Sequence, residues 1–437
     1  MNLLNQFIDY LPSLLEVAIT VLLNGAWALG SLLWVEIVRD SLHVLAHHWP
    51  WLARHHGWHH RVFNRDMSAI SPELYQQSQW HHDVPESAVM LLSAIVFIAI
   101  AFHWTMATGA LLGSLLGLFY TMRGLFIAIC RGLGKEWAIA IDVNHQSPKL
   151  PEPRSKWGVN WSYHQPHHFE NPKAYYSGVF TLVDKVLGTA LSLKGKTVGV
   201  TGASGALGRA LLQQLTDAGA TVIALTSSEG EPLEVEVQGL AKPVETVRWA
   251  VGEEVALADL LERIDILVLN HGVNHRDRSE ASALASFEVN TLSVYRLLEL
   301  FLETVRTPFD VVRKEAWVVT SEAEVAPAYS PLYEISKRVL GNLVTLKRVD
   351  APCVLRKVVL GAFRSRMSPE GNMSADWVAK QVVKAVQRDT RNIIVSYRVW
   401  IYLYYPVKEW LTACYYRRFS QTKLPSDQGK TLQGALP

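Results

Sequence analysis

The chain has 437 residues, of which 49% are apolar and 19% charged, with a formal net charge of +2 and three cysteines. That length predicts two or three domains, the apolar share is high for a soluble protein, and the charge is too small to imply a nucleic-acid partner. The scattered Cys130, Cys353 and Cys414 form no CxxC, which fits a reducing compartment and argues against a disulfide framework.

The N-terminus has neither a basic region nor a small-residue cleavage site, so a removable signal peptide is not expected. A first membrane span is expected from about Tyr10 to Val35, where Glu16 is the one charge. Fourteen of the sixteen histidines then fall before residue 169. They cluster as HVLAH (His43, His47), HGWHH (His56, His59, His60), a lone His145 after Asn144, and HQPHH (His164, His167, His168). On a helix, spacings of three and four residues share a face, so each cluster aims two or three imidazoles at one point. Neutral imidazole suits zinc, copper, iron and nickel. A tetrahedral zinc takes four ligands, so nine clustered imidazoles are read as serving two ions.

Between Glu86 and Arg123 no Asp, Glu, Lys or Arg occurs for 36 residues. As one helix this stretch would be about 54 Å long, against a hydrocarbon core of about 30 Å. It is expected to form a hairpin, 86–104 and 107–129, turning near His103 to Gly109. Arg39, Arg54, Arg61 and Arg65 follow the first span, and Arg123, Arg131 and Lys135 follow the third. The positive-inside rule therefore puts both histidine-bearing segments on the cytoplasmic face.

Trp34 to Asp40, HVLAH, HGWHH, the Asn144-His145 pair, HQPHH and the closing YYSGVFTLVDKVLGT (Tyr175 to Thr189) together resemble the membrane-bound fatty acid hydroxylase and sterol desaturase superfamily. The resemblance covers about residues 30–190. It implies a non-haem di-iron centre that uses O2 and electrons to hydroxylate or desaturate a lipid C–H bond. Matched residue by residue, it assigns His43, His47, His56, His59, His60, His145, His164, His167 and His168 as iron ligands. His48 and His55 lie off the motif spacing. His81-His82-Asp83 is an extra cluster, either supporting the ligands or simply interfacial.

Composition changes near Leu193-Lys194. The apolar run Val198–Val200 feeds Thr201-Gly202-Ala203-Ser204-Gly205-Ala206-Leu207-Gly208, then a helix and a second strand ending at Thr226. Glycines between a strand and a helix let a pyrophosphate approach the helix N-terminus. Ile264–Val273 reads as a buried strand ending in Asn270-His271-Gly272, Asn290 falls early in a helix, and Ala316–Ser321 is a strand ending in hydroxyls. Tyr333 and Lys337 open a helix twelve residues later. Alternating strands and helices predict a doubly wound parallel sheet.

In this order TGASGALG, NHG, Asn290, Ser321 and YEISK resemble the short-chain dehydrogenase/reductase family over about residues 194–390. The resemblance implies Tyr333 as the acid at a carbonyl, Lys337 as the cation beside it, Ser321 as the carbonyl binder and Asn290 as holder of a relay water. It implies cofactor binding at Gly202, Ser204, Gly205, Leu207, Gly208, Thr226, Asn270, Gly272, Tyr333 and Lys337. The sequence departs from the family at three points. The glycines follow TGxxGxxG, nearer to the extended-type members, and His271 replaces a small residue beside the cofactor. The usual acid after the third strand is missing, where the chain reads Trp249-Ala250-Val251-Gly252. Small hydroxyls at Thr226-Ser227-Ser228 leave room for a 2′-phosphate, which favours NADP over NAD.

Residues 393–420 are rich in Trp, Tyr and Leu and close on Arg417-Arg418, as suits an interfacial helix, with a last core helix as the alternative. Residues 421–437 are expected to be disordered. The predicted organisation is multidomain. A membrane-embedded all-α bundle with a His-rich di-metal site (1–192) precedes an α/β Rossmann-like doubly wound parallel sheet (193–392), the helix and the tail. The whole resembles proteins described as bifunctional sterol desaturase/short-chain dehydrogenases. That resemblance implies an integral membrane oxidoreductase with both working halves on the cytoplasmic side. It would act on a lipid with two irons, NADP or NAD and a ferredoxin- or cytochrome-type electron donor. Two alternatives stay open: a Rossmann half that only binds nucleotide or acts as a scaffold, and histidines that only bind metal.

Overall fold

The computed structural model describes residues 2–105, 108–146, 151–229 and 232–421. It divides into two compact units, Met1–Ser192 and Leu193–Pro437. Residues 422–437, expected to be disordered, and 106–107, the centre of the expected hairpin turn, lie outside the described residues.

The first unit is helical. Its elements are α1 (Asn2–Ala46), α2 (Pro50–His60), α3 (Pro72–Ser78), α4 (Val84–Thr105), α5 (Thr108–Gly132), α6 (Glu136–Ala140), α7 (Trp161–Phe169) and α8 (Leu182–Leu187). Among the described residues, three stretches are long and apolar enough to cross a membrane: Pro12–Ala46, Pro72–Trp104 and Ala110–Gly132. Two differ from expectation. The first span does not stop near Val35, because no breaker precedes Trp49-Pro50, and α1 carries the chain from the apolar region straight into HVLAH. The second begins earlier: α3 and α4 are joined without a break by a π turn, Gln79–Asp83, which holds His81 and His82. The π turn adds one residue to a helical turn, a device frequent at functional sites.

α1 and α5 pack through small residues. A side chain at Gly113 would meet the Asn24 carbonyl at 2.5 Å, and one at Gly117 would meet Ser31 Cβ at 2.9 Å. The Gly117 N–H instead donates to Ser31 Oγ at 3.1 Å. This GxxxG contact brings two backbones together where apolar burial gives helices little reason to associate.

The second unit is α/β. It comprises β1 (Thr197–Thr201), α9 (Ala206–Asp217), β2 (Thr221–Thr226), β3 (Glu234–Val237), β4 (Leu240–Pro243), β5 (Glu245–Arg248), α10 (Ala258–Arg263) and β6 (Ile266–Leu269). After these come α11 (Glu280–Phe287), α12 (Ser293–Leu302), α13 (Pro308–Arg313), β7 (Glu315–Ser321), α14 (Pro331–Lys347), β8 (Val354–Leu360), α15 (Ala375–Gln387), β9 (Asn392–Val395) and α16 (Ile401–Phe419). Seven strands form a parallel sheet in the order β5-β2-β1-β6-β7-β8-β9, while β3 and β4 make a separate hairpin. The central strands are buried along their whole length, as a sheet covered on both faces requires. Leu297, Leu298 and Phe301 of α12 and Leu340 and Val344 of α14 cover one face. The chain leaves β1 in one direction and returns at β6 in the other, so the ligand crevice of such folds falls at the ends of these two strands.

The chain after 392 is not one helix. Residues 392–395 form the sheet's edge strand, and the helix begins only at Ile401. Ile401 and Tyr405 pack on Ala326 and Val359. Beneath them lies a buried ionic cluster. Lys357 Nζ on β8 donates to Glu409 at 2.9 Å, Glu324 at 3.1 Å and the Gly341 carbonyl at 3.0 Å. Arg348 reaches Glu409 at 3.1 Å. Replacing Lys357 by Met would leave two carboxylates buried without their main cation. We expect a loss of about 3–5 kcal/mol in urea unfolding of the second unit; a loss below about 1 kcal/mol, as for surface pairs, would show that the cluster does not hold α16.

Candidate metal centre and nucleotide site

The histidine clusters meet in space. His43, His47, His56, His60 and His167 form one group and His59, His145, His164 and His168 another. Their ligand atoms lie within 4.8 Å of one another in each group. All nine histidines singled out by the motifs are thus gathered, five and four. His48 turns back to the Val44 carbonyl and His55 lies against Trp51, outside both groups. The structure adds His82, which the motif spacing leaves undecided: its Nε2 lies 2.8 Å from His56 Nδ1, and it forms a third group with His59 and Asp83.

The Nε2 atoms point inward. His43 Nε2 is 3.1 Å from that of His56 and 2.9 Å from that of His167; His164 Nε2 is 3.1 Å from His145 and 3.0 Å from His168. Several Nδ1 atoms are held from outside. His43 Nδ1 lies 2.6 Å from the Tyr176 carbonyl and His167 Nδ1 2.7 Å from that of Ala174. His145 Nδ1 lies 2.8 Å from Asp142 Oδ1. A carbonyl can only accept, so the Nδ1 proton is fixed there and the Nε2 lone pair faces the centre. Lone pairs about 3 Å apart repel unless a cation lies between them. Donors of one ion with bonds of about 2.0–2.1 Å fall roughly 3.0–3.4 Å apart, so the donor set fits two imidazole-bound ions. Burial, then His48 and His82, push His47 down to about 4; burial, then His47 and other imidazoles, push His60 down to about 3. Both are therefore neutral near pH 7, the form that binds metal.

The supporting residues explain the closing motif. Asp184 accepts from Tyr163 Oη at 2.9 Å, Thr189 Oγ1 at 2.6 Å and the N–H groups of Tyr176 and Ser177. These bonds fold 174–189 back so that the Ala174 and Tyr176 carbonyls meet the two imidazoles. Asp142 is held likewise by Tyr75 Oη at 2.6 Å and Arg131 at 3.5 Å.

In the second unit the nucleotide loop follows from close packing. A Cβ on Gly208 would lie 2.3 Å from the Gly202 carbonyl, so only glycine lets α9 start there. Gly205 is the N-cap of α9 and offers no side chain, which leaves the first N–H groups of the helix for an anion. Leu207 is buried beneath the turn. Thr201 Oγ1 receives the N–H of Asn270 at 2.8 Å and of His271 at 3.2 Å, which pins the Asn270–Gly272 turn over β1. Thr226 Oγ1 donates to Ser204 Oγ at 3.0 Å. A cleft of about 610 Å³ opens over these hydroxyls, rimmed by Arg209, Arg248 and Arg366. At the site of the missing acid, Trp249 packs edge-on against His271 with centroids 5.2 Å apart.

Ser321 ends β7, and Tyr333 and Lys337 lie in the first two turns of α14. Ser321 Oγ donates to the Leu360 carbonyl at 3.3 Å and accepts from the Ala323 N–H at 3.2 Å. Burial pushes the Tyr333 phenol up, against a downward pull from Ser321. Lys337 Nζ donates to the Val319 carbonyl at 3.1 Å and is pushed down to about 8 by burial against the pull of Glu324. Lys337 Nζ lies 5.9 Å from the centroid of the Tyr333 ring. Asn290 sits on a second π turn, Glu288–Leu292, and its amide donates to the Val273 carbonyl and Ser336 Oγ. Only its Oδ1, which already accepts from Val273 N–H at 2.8 Å, has capacity left for a water.

Residues 198–331 match the NAD dependent epimerase/dehydratase family. A monoglucosyldiacylglycerol epimerase from Synechocystis sp. is 50% identical over 411 residues, which span 93% of this chain and 100% of that protein. The chain belongs to the monoglucosyldiacylglycerol epimerase family. Among solved structures, a short-chain dehydrogenase/reductase from Serratia marcescens is 16% identical, covering 47% of this chain and 98% of its own, with a TM-score of 0.39. An alcohol dehydrogenase from Thermococcus sibiricus complexed with 5-hydroxy-NADP is 22% identical, covering 46% and 96%, also with a TM-score of 0.39.

In this member of the epimerase family the second unit carries the NAD dependent epimerase/dehydratase domain. Its departure at His271 has a pH consequence. Burial, then the Lys337 charge, push the imidazole down to about 3 against Glu254. The folded value lies below the unfolded 6.5. The unfolded chain therefore takes up a proton that the folded chain refuses, and the stability His271 contributes above pH 6.5 is lost as pH falls toward 3. In thermal unfolding between pH 7 and 4.5, His271→Ala should flatten the acid-side decline of the second unit; an unchanged decline would show that His271 is not held neutral.

Proposed function

We propose that this protein inverts one hydroxyl-bearing carbon of the glucosyl headgroup of a monoglucosyl diacylglycerol. The observation that carries the reading is the 50% identity to an enzyme of that name along nearly the whole of both chains. Bound nicotinamide supplies the hydride acceptor and donor. Tyr333 takes the hydroxyl proton as the ring carbon becomes a ketone and returns it when the carbon is reduced from its other face, so the net reaction consumes no oxidant. Ser321 holds the ketone oxygen beside Tyr333, and Lys337, anchored at Val319, lies where a ribose would be held. The hydroxyls of Ser204, Thr226 and Ser228 and the guanidinium groups of Arg209 and Arg248 favour NADP, since a 2′-phosphate needs donors and positive charge. Purified protein given a monoglucosyl lipid with NADP or NAD, followed by hydrolysis and sugar analysis, should yield a second hexose. Tyr333→Phe should lower that yield about 10²–10⁴-fold, the usual worth of a general acid–base group. Epimer formation unaffected by the substitution would leave the Rossmann half as a nucleotide-binding scaffold.

For the helical unit we infer a di-iron centre, held by His43, His47, His56, His60 and His167 on one side and His59, His145, His164 and His168 on the other. Five imidazoles exceed what a closed tetrahedral zinc accepts. Such a centre supplies O2-dependent hydroxylation or desaturation of a hydrocarbon chain, drawing two electrons from a ferredoxin- or cytochrome-type donor protein. The diacylglycerol part of the same lipid is the hydrocarbon within reach of the bilayer. The arginines after the first and third spans favour the cytoplasmic side for both working units. Elemental analysis of the detergent-purified protein should find about two irons per chain, lost in a His164→Ala/His168→Ala variant. One zinc, or iron that survives the double substitution, would sink the di-iron reading and leave a metal-binding role only. Epimer yield compared with and without O2 separates the two activities, because the inversion needs none.

A further inference from the structure

α16 buries one stripe and exposes the other. Ile401, Tyr405 and Glu409 face inward, while Leu403 (76% exposed), Val407 (55%), Trp410 (65%) and Leu411 (56%) form a stripe on the opposite side. At its N-terminal end this stripe runs into an open groove of about 570 Å³ lined by Val325, Trp400, Leu403, Tyr404 and Val407. Val325 follows Ser321 by four residues, so the apolar surface reaches the loop that carries the carbonyl-binding hydroxyl. The one acid of α16, Glu409, is buried under Lys357 and Arg348. Its exposed charges are Arg417 and Arg418, at the C-terminal end.

We propose that this face of α16 lies in the headgroup layer of a bilayer containing anionic lipid and docks the second unit on the membrane surface. Three features favour a bilayer over a second copy of the chain. The stripe is bounded by Trp and Tyr, whose apolar rings and polar tips suit the membrane–water boundary. Its exposed charge is wholly positive, which complements an anionic leaflet and would repel its own image in a dimer. The same polypeptide holds three helices apolar enough to cross a membrane, so a bilayer is always within the tether's reach. Docking there would set the mouth of the Ser321–Tyr333 site at headgroup depth, where a lipid-borne substrate need not leave the membrane. The proposal does not depend on which reaction the site performs.

Cys414 lies on the exposed stripe, one turn beyond Trp410, whereas Cys130 and Cys353 are buried. A nitroxide on Cys414 of the full chain in nanodiscs with anionic lipid therefore reads this face, with Cys414→Ser as the labelling control. We expect collisions with O2, which concentrates in the bilayer, to exceed those with a water-soluble nickel chelate several-fold. Val407→Glu/Trp410→Glu should reverse that ratio while NADPH affinity is kept, which reports an intact fold. A label reached mainly by the nickel chelate in the unsubstituted protein would mean a bare face. A label reached by neither reagent would mean a face covered by protein. Either result overturns the proposal, and so does a double variant whose ratio does not change.

Discussion

Nine imidazoles cannot be crowded to contact distance unless their protons are sent outward. That constraint organises the helical unit. Each Nδ1–H that finds a carbonyl or carboxylate fixes one tautomer and turns one lone pair to the centre. The Tyr176 and Ala174 carbonyls do this for His43 and His167, and Asp142 does it for His145. These acceptors must in turn be rigid. Asp184 holds the first two in place from a single buried carboxylate, and Tyr75 and Arg131 hold the third. The apolar helices lie farther out, and their GxxxG contact fixes how α1 reaches the cage.

The second unit meets a similar demand by other means. A nucleotide requires bare backbone at the head of α9, and the chain provides it by removing side chains at Gly202, Gly205 and Gly208. The space beside Gly202 is then filled by His271 from the end of β6, against which Trp249 packs edge-on. Charge is concentrated elsewhere, in the cluster around Lys357, where it holds a helix whose other face is apolar.

Much of this was legible in the chain because the informative groups are local. HxxxH, HxxHH, the glycine turn and YEISK are patterns of spacing, and spacing survives without a tertiary structure. The apolar hairpin and the parallel sheet were legible for the same reason. The supporting groups were not. Asp142 and Asp184 look like ordinary acids until the fold brings Tyr75 or Tyr163 to them from 67 and 21 residues away. His82 lay outside any motif spacing because a π turn, not an α turn, presents it. The edge strand at 392–395 is four residues long and was absorbed into the aromatic segment after it. The β3–β4 hairpin is mostly exposed and carries too few apolar residues to announce itself.

The π turn at Gln79–Asp83 ties together two things that ordinarily vary independently. Within it His82 meets His56 and His59; downstream the helix presents one side to α1 and α5 and leaves the other exposed. Each residue added to or removed from a helix turns the remainder of that helix by about 100°. A single deletion within the π turn would restore an ordinary helix. It would also swing Met90 and Ala94 away from Val35, against which they pack, and bring exposed residues such as Leu92 and Ile95 into their place. The phase of a long apolar helix is thus locked to a cage of imidazoles, and this stretch of chain should tolerate changes of residue far more readily than changes of length.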